Sequence, residues 1–143
     1  MIPSETIQCQ FFQEWQPLTS SDEVIQGAGF TIKSSKFDFF FGRVTSTPTN
    51  TRRSLDNLRD LRALGIDEAS GGKEKLLQIF AEGLNAPEVE EDRKINEYGT
   101  NISHKVELRG GEKPGAIVVR YFYAESNLGM NPQVTSIVPL IYQ

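Results

Sequence analysis

The sequence predicts an α+β fold, in which a mainly antiparallel or mixed sheet of about five to six strands carries a pair of helices on one face. Two observations support this prediction. Apolar and polar residues alternate near both ends of the chain, which is typical of strands with one buried face. Leucines recur at helical spacing between them, so the helices are grouped in mid-chain rather than interleaved with the strands. Grouped helices favour antiparallel connections.

The bulk composition narrows the class of protein. The chain has 143 residues, 38% of them hydrophobic and 24% charged, which predicts a single globular domain over residues 1–143. It begins without a basic and apolar leader, and no uncharged apolar run approaches the roughly 20 residues of a membrane span. We therefore expect a cytoplasmic protein without membrane contact. The net charge of −4 makes nucleic acid an unlikely partner, because such binding depends on Lys and Arg.

The first third of the chain predicts extended structure. Residues 5–13 alternate, with Ile7, Cys9 and Phe11 on one side, and polar residues after Pro17 end this strand. A second alternation runs from Phe30 to Phe41 and is interrupted by a turn-like segment. It favours either a hairpin or one long, bent strand.

Two helices follow a polar linker over residues 45–51, which offers N-cap candidates. In residues 52–64 a leucine recurs every three positions and charged residues take the other faces, while Gly65 suits the helix end. Residues 73–82 predict a second helix that ends at Gly83. The connection is short, so we expect an antiparallel or angled pair with its leucines on the sheet.

The last third predicts a return to strands. The acidic residues 85–97 suggest a surface loop or a short frayed helix. Alternation over residues 102–108, 116–123 and 134–142 then predicts three strands. Pro139 lacks an N–H group, which favours a sheet edge or a bulge for the last one.

The chemistry of the chain offers no assembled catalytic motif. His104 is the single histidine, so it is the one candidate for a histidine general base, although its phase with neighbouring apolar residues predicts a structural role. Cys9 is the single cysteine, which excludes an intrachain disulfide or a cysteine cluster. We expect neither a metal nor a cofactor.

One loop is an anion-binding candidate. Its backbone N–H groups and two cations could surround an anion, although a hairpin loop without function explains the same residues. The residues concerned are Arg109, Gly110, Gly111 and Lys113.

The favoured function is a non-catalytic protein–protein interaction or assembly module that binds another chain, as a homo- or hetero-oligomer. A terminal strand at a sheet edge can accept an added strand, and aromatic residues are frequent interface anchors. The interface candidates are Phe40, Ile137, Val138, Leu140, Ile141 and Tyr142. Two alternatives remain: a small enzyme or ligand-binding domain that uses His104 with nearby carboxylates and tyrosine, and a nucleic-acid-associated factor.

Overall fold

The computed structural model describes residues 23–142, and the strand predicted over residues 5–13 lies outside them. Three helices are present in the described part: α1 Ser35–Phe40, α2 Pro48–Ala63 and α3 Gly72–Gly83. Six strands accompany them: β1 Val24–Gln26, β2 Thr31–Lys33, β3 Lys94–Asn96, β4 Gly99–Leu108, β5 Gly115–Ala124 and β6 Gln133–Ile141. The prediction of an α+β fold with a mixed sheet is confirmed.

The six strands form one sheet in the order β1-β2-β6-β5-β4-β3. The β4–β5 and β5–β6 pairs are long and antiparallel, and β2 runs parallel to β6 over Thr31 and Ile32 alone. A register shift at Arg120/Tyr121 puts one extra residue, Thr135, into β6. Parallel pairing is possible here because all three helices and the strands β3, β4 and β5 lie between β2 and β6 along the chain.

The helices cover one face of the sheet. Residues directly opposite in an antiparallel pair share a face, so Val106 with Ile117, and Val119 with Ile137, point to the same side. These four are buried in one apolar cluster with the inner residues of the helices, among them Leu61, Leu76, Ile79 and Phe80.

The opposite side of the sheet presents alternate residues of β4, β5 and β6. No helix of residues 23–142 packs its core residues there. We call this side the helix-free face, and its principal residues are Val118, Arg120, Phe122, Val138, Leu140 and Tyr142.

The segment from Phe30 to Phe41 corrects the predicted hairpin or bent strand. Three of its residues form β2, and the chain then coils into α1. Phe37, Phe40 and Phe41 are buried at the helical spacing i, i+3, i+4, with the Phe37 and Phe40 rings edge to face at 5.8 Å. The phenylalanines fit both the two-residue repeat of a strand and the repeat of a helix. The helix is favoured because it buries three of them on one side.

Helix α2 begins four residues before the predicted start. Thr47 is its N-cap, where the hydroxyl accepts a hydrogen bond from the Asn50 N–H at 3.0 Å, and Pro48 occupies the first turn. The predicted leucine face is wrong at Leu55, which is 50% exposed, whereas Leu61 is fully buried. A three-residue step falls about 60° short of a turn, so four leucines spread over half the helix circumference.

The other helix and strands predicted within residues 23–142 are present, with ends that differ from the predicted ones by one to three residues. Helix α3 matches the predicted residues 73–82, and β4, β5 and β6 match the last three predicted strands. The acidic segment is a 3-10 turn, Glu90–Asp92, followed by β3, whose residues are all exposed and so carry no alternation. Within residues 23–142, no helix is long and apolar enough to cross a bilayer.

Leu61→Ala should lower the free energy of unfolding by about 2–5 kcal/mol, because it leaves a cavity in a fully buried site. Leu55→Ala is the matched control on the same helix and should change it by less than about 0.5 kcal/mol. Urea titrations followed by circular dichroism measure both. Equal effects of the two substitutions would contradict this orientation of α2.

Candidate functional site

The structure leaves one edge of β6 without a neighbouring strand. Strand β2 pairs with Gln133 and Val134 and then ends, because the chain turns into α1. On its other side β6 pairs with β5 as far as Ile141. From Ser136 to Ile141, β6 therefore has no paired strand on the β2 side among the described residues. We call this stretch the open edge.

Strand alternation shows which backbone groups face the open edge. The Tyr142 N–H donates to the Pro114 carbonyl at 3.0 Å, across the β5 side of the strand. Backbone groups of successive residues point to opposite sides, so Val138 and Leu140 also face β5, while Ile137, Pro139 and Ile141 face the open edge. Pro139 thus lies where its missing N–H breaks no bond to β5. The prediction that the last strand lies at a sheet edge is wrong for β6 as a whole, which lies between β2 and β5. Pro139 itself lies beyond the end of β2, where β6 has a neighbouring strand on one side alone among the described residues.

A groove runs between the open edge and the helices. Its upper part is a hollow of about 400 Å³ bounded by α1, α2 and β6, in which Phe39, Asn57 and Ile137 are among the lining residues. The groove continues beside Val138 and Pro139 in a second hollow of about 400 Å³, which we call the lower hollow. Its helix side carries Arg53, Asp56, Asn57 and Asp60. The groove is thus apolar at the strand and charged along α2.

A buried hydroxyl fixes the helix side of this groove. Ser54 of α2 is fully buried, and its Oγ donates to the Phe39 carbonyl at 2.7 Å. Phe39 lies in the last turn of α1, where carbonyl groups lack partners within the helix. The bond therefore holds α1 against α2 beside the upper hollow.

The interface candidates separate into two groups. Val138 is 48% exposed on the helix-free face, where Leu140 and Tyr142 are half-buried beside it. Phe40 and Ile137 are 2% and 6% exposed and belong to the core, so their side chains are not accessible to a partner. Ile141 is half-buried against that core.

Tyr142 takes part in a polar cluster at the end of the helix-free face. Its hydroxyl lies 2.9 Å from both carboxylate oxygens of Glu107 and donates to them, and Lys105 Nζ lies 5.5 Å from the centre of its ring. Its contact with Tyr142 raises the pKa of Lys105. The cluster links Tyr142 to two residues of β4.

His104 has a structural environment. Its Nδ1 lies 2.7 Å from the Ala86 carbonyl, which can only accept, so Nδ1 carries the proton and donates. The ring meets Tyr121 edge to face at 5.5 Å. His104 also forms an isolated β-bridge with Glu88, whose pKa is lowered chiefly by the hydrogen bonds from Arg93. These contacts place the ring between the sheet and the loop after α3, with one nitrogen already committed.

The loop with the anion-binding candidates packs against the end of α2. The Lys113 N–H donates to the Ala63 carbonyl at 3.2 Å, so it satisfies a helix C-terminal acceptor. A Cβ on Gly111 would lie 2.2 Å from the Leu64 backbone, which requires glycine at this approach. Arg109 and Gly110 are exposed beside it. One of the N–H groups is therefore used by the protein itself.

Metal ligands do not come together in the described residues. No group of three or more His, Cys, Asp or Glu side chains within residues 23–142 could hold a metal ion. Cys9 lies outside the described residues.

Two features of the site were missed from the sequence. The open edge depends on how soon β2 ends, which the phenylalanine pattern concealed. Arg120 lies in the middle of the helix-free face, where its register opposite Ser103 and Ser136 places it. Its alternation with Val119 and Tyr121 was the available signal.

Comparison with known proteins gives a likeness of fold. No family model and no curated protein matches this chain. A chain of the contact-dependent growth inhibition toxin–immunity protein complex from Klebsiella pneumoniae 342 is similar in structure, with a TM-score of 0.61 and 15% identity. The match covers 76% of this chain and 97% of that chain. At this identity the two share a fold.

Replacement of His104 tests its structural role. His104→Phe keeps a ring but leaves the Ala86 carbonyl without its donor, and should lower the free energy of unfolding by about 1–2 kcal/mol. His104→Asn retains an N–H near the position of Nδ1 and should recover part of that loss. Urea unfolding measures both variants, and a Phe variant as stable as the wild type would show that the bond contributes nothing.

Pro139→Val tests the open edge. The substitution supplies an N–H that faces the edge, so it should promote pairing between two copies and give a concentration-dependent dimer in sedimentation experiments. Leu140→Val is the control, because its backbone faces β5 and it adds no donor to the edge. A Pro139→Val protein with the sedimentation behaviour of the control would show that this edge is closed.

Proposed function

We propose that this chain is a non-catalytic module that binds another protein by accepting an extended segment of that protein along the open edge of β6. The observation that carries this proposal is the unpaired stretch Ser136–Ile141 next to a groove. Backbone N–H and C=O groups at such an edge supply affinity, and side-chain pockets on either side supply selectivity.

The groove suits an extended segment with an apolar residue flanked by polar ones. Half-buried Phe39 supplies apolar surface in the upper hollow, where a partner side chain can be buried. Arg53, Asp56 and Asp60 border the lower hollow, where they can pair with charges of either sign. Because Pro139 has no N–H, the edge offers two backbone donors, at Ile137 and Ile141, and three acceptors, which weakens pairing with a second copy of the same strand.

The fold likeness suggests the kind of partner. The similar chain belongs to a toxin–immunity protein complex. We infer that this chain acts in a pair of the same kind, on the immunity side. The support for that side is chemical: within residues 23–142, His104 is committed to the Ala86 carbonyl and no metal-binding group is assembled. The activity in such a pair then belongs to the partner.

The first experiment tests the edge. Immobilised protein is exposed to an extract of its source cells, and the bound chains are identified by mass spectrometry. Ile141→Pro removes an edge-facing N–H without touching the bonds to β5, and should lose the partner. Ile141→Thr is the matched control, because it also shortens the apolar side chain but keeps the N–H, and should retain it. Equal capture by both variants would exclude the edge as the binding site.

The second experiment tests the immunity role. The captured protein is expressed alone and together with this chain, and growth is followed. Growth arrest that co-expression relieves, and that Ile141→Pro fails to relieve, is the expected result. A captured protein without effect on growth would overturn the immunity role and leave protein binding in place.

A further inference from the structure

Arg120, at the centre of the helix-free face, has a side-chain donor without a hydrogen-bond acceptor. Its Nε is buried and has no hydrogen-bond partner, and the same holds for the Oγ of Ser103, the residue directly opposite on β4. Several ion pairs join residues 23–142, but none of them includes Arg120. A buried guanidinium donor without an acceptor is costly. The environment therefore calls for an additional acceptor.

The surroundings of Arg120 are apolar and partly open. Val118 and Phe122 flank it on β5 and are half-buried, and Val138 lies beside them, 48% exposed. A segment that covers this face should combine apolar side chains with at least one carboxylate.

Residues 1–22 have that composition. They contain no Lys or Arg and three carboxylates, at Glu5, Glu14 and Asp22. Their apolar residues include Trp15, the single tryptophan of the chain, and the alternating set that predicts a strand over residues 5–13. All the basic residues of the chain lie beyond residue 22, so the segment is complementary in charge to Arg120.

Residue 23, which follows the segment 1–22, lies at the same level of the sheet as Arg120. The Ser34 N–H donates to the Glu23 carbonyl at 2.7 Å, so residue 23 adjoins the end of β2. Strand β2 runs parallel to β6 with Ile32 beside Val134, which brings Glu23 to the level of Ser136, the partner of Arg120.

The distance can be spanned easily. From β1 to β5 there are three strand spacings, about 14 Å in all. The eight residues 15–22 reach about 26 Å when extended. Residues before Trp15 therefore have access to the whole face.

We propose that residues 1–22 of the same chain cover the helix-free face and place a carboxylate on Arg120. The apolar residues of the segment contact Val118, Phe122 and Val138, and the carboxylate accepts from the guanidinium. This contact uses the face of β6, not its open edge, so it is independent of the partner-binding proposal.

The chain carries two single-residue reporters within this segment. A nitroxide on Cys9 should broaden the amide resonances of β5 and β6 around Arg120 most strongly, and those of α2 least, because α2 lies across the sheet. Broadening strongest at the outer edge of β1 would overturn the proposal in favour of strand addition there. Broadening seen only when labelled protein is mixed with unlabelled, isotope-enriched protein would overturn it in favour of a second copy.

The second measurement needs no label. Acrylamide should quench Trp15 fluorescence severalfold less efficiently than it quenches free N-acetyltryptophanamide. Arg120→Gln should raise the quenching constant severalfold, and Arg120→Lys should raise it less, because it keeps the charge but not the fork of donors. The control is Arg59→Gln on α2, which should leave it unchanged, with circular dichroism to confirm that each variant is folded. Equal quenching in Arg120→Gln and Arg59→Gln would overturn the role of Arg120.

Discussion

The hydrogen bond from the Tyr121 hydroxyl to the Phe80 carbonyl, 2.5 Å long, joins the sheet to α3 in the centre of the core. Tyr121 is fully buried, and this burial raises its pKa, so the phenol stays protonated and remains a donor. Gly83 provides the space: a Cβ there would lie 2.3 Å from the hydroxyl oxygen. With the bond formed, α3 packs beside β4, and the loop after α3 meets the donor of His104 at Ala86.

The position of α3 also affects how the chain folds after β2, on the same face of the sheet. The rings of Phe30, Phe37 and Phe40 all pack against Phe80, at centroid distances of 5.8–6.5 Å. This cluster needs α1 directly after β2, which limits β2 to three residues. A longer β2 would cover β6 fully but would move Phe37 and Phe40 out of the core. The open edge of β6 is therefore a consequence of aromatic packing.

The sequence was sufficient for elements whose pattern has a single interpretation. Strand β5 was predicted within one residue of its ends, and His104 was placed correctly in phase on β4. Prediction failed where two periods coexist, as at Phe37–Phe41, and where a regular leucine spacing differs from the helical repeat, as at Leu55. The groove depends on long-range contacts such as Ser54 with Phe39, which no local pattern indicates. The absence of a partner for Pro139 on one side was predictable because the missing N–H is a local property, but the inner position of β6 was not.

Both proposed contacts meet on β6, and the geometry of a strand keeps them apart. Backbone groups of Ile137, Pro139 and Ile141 face the open edge within the plane of the sheet, whereas the side chains of Val138 and Leu140 stand perpendicular to it on the helix-free face. An added strand at the edge would extend the sheet without displacing a segment on its face. Since such a strand also brings its own alternate side chains to that face, it would lie beside residues 1–22. The two proposals can therefore be tested separately, because each uses different groups of β6.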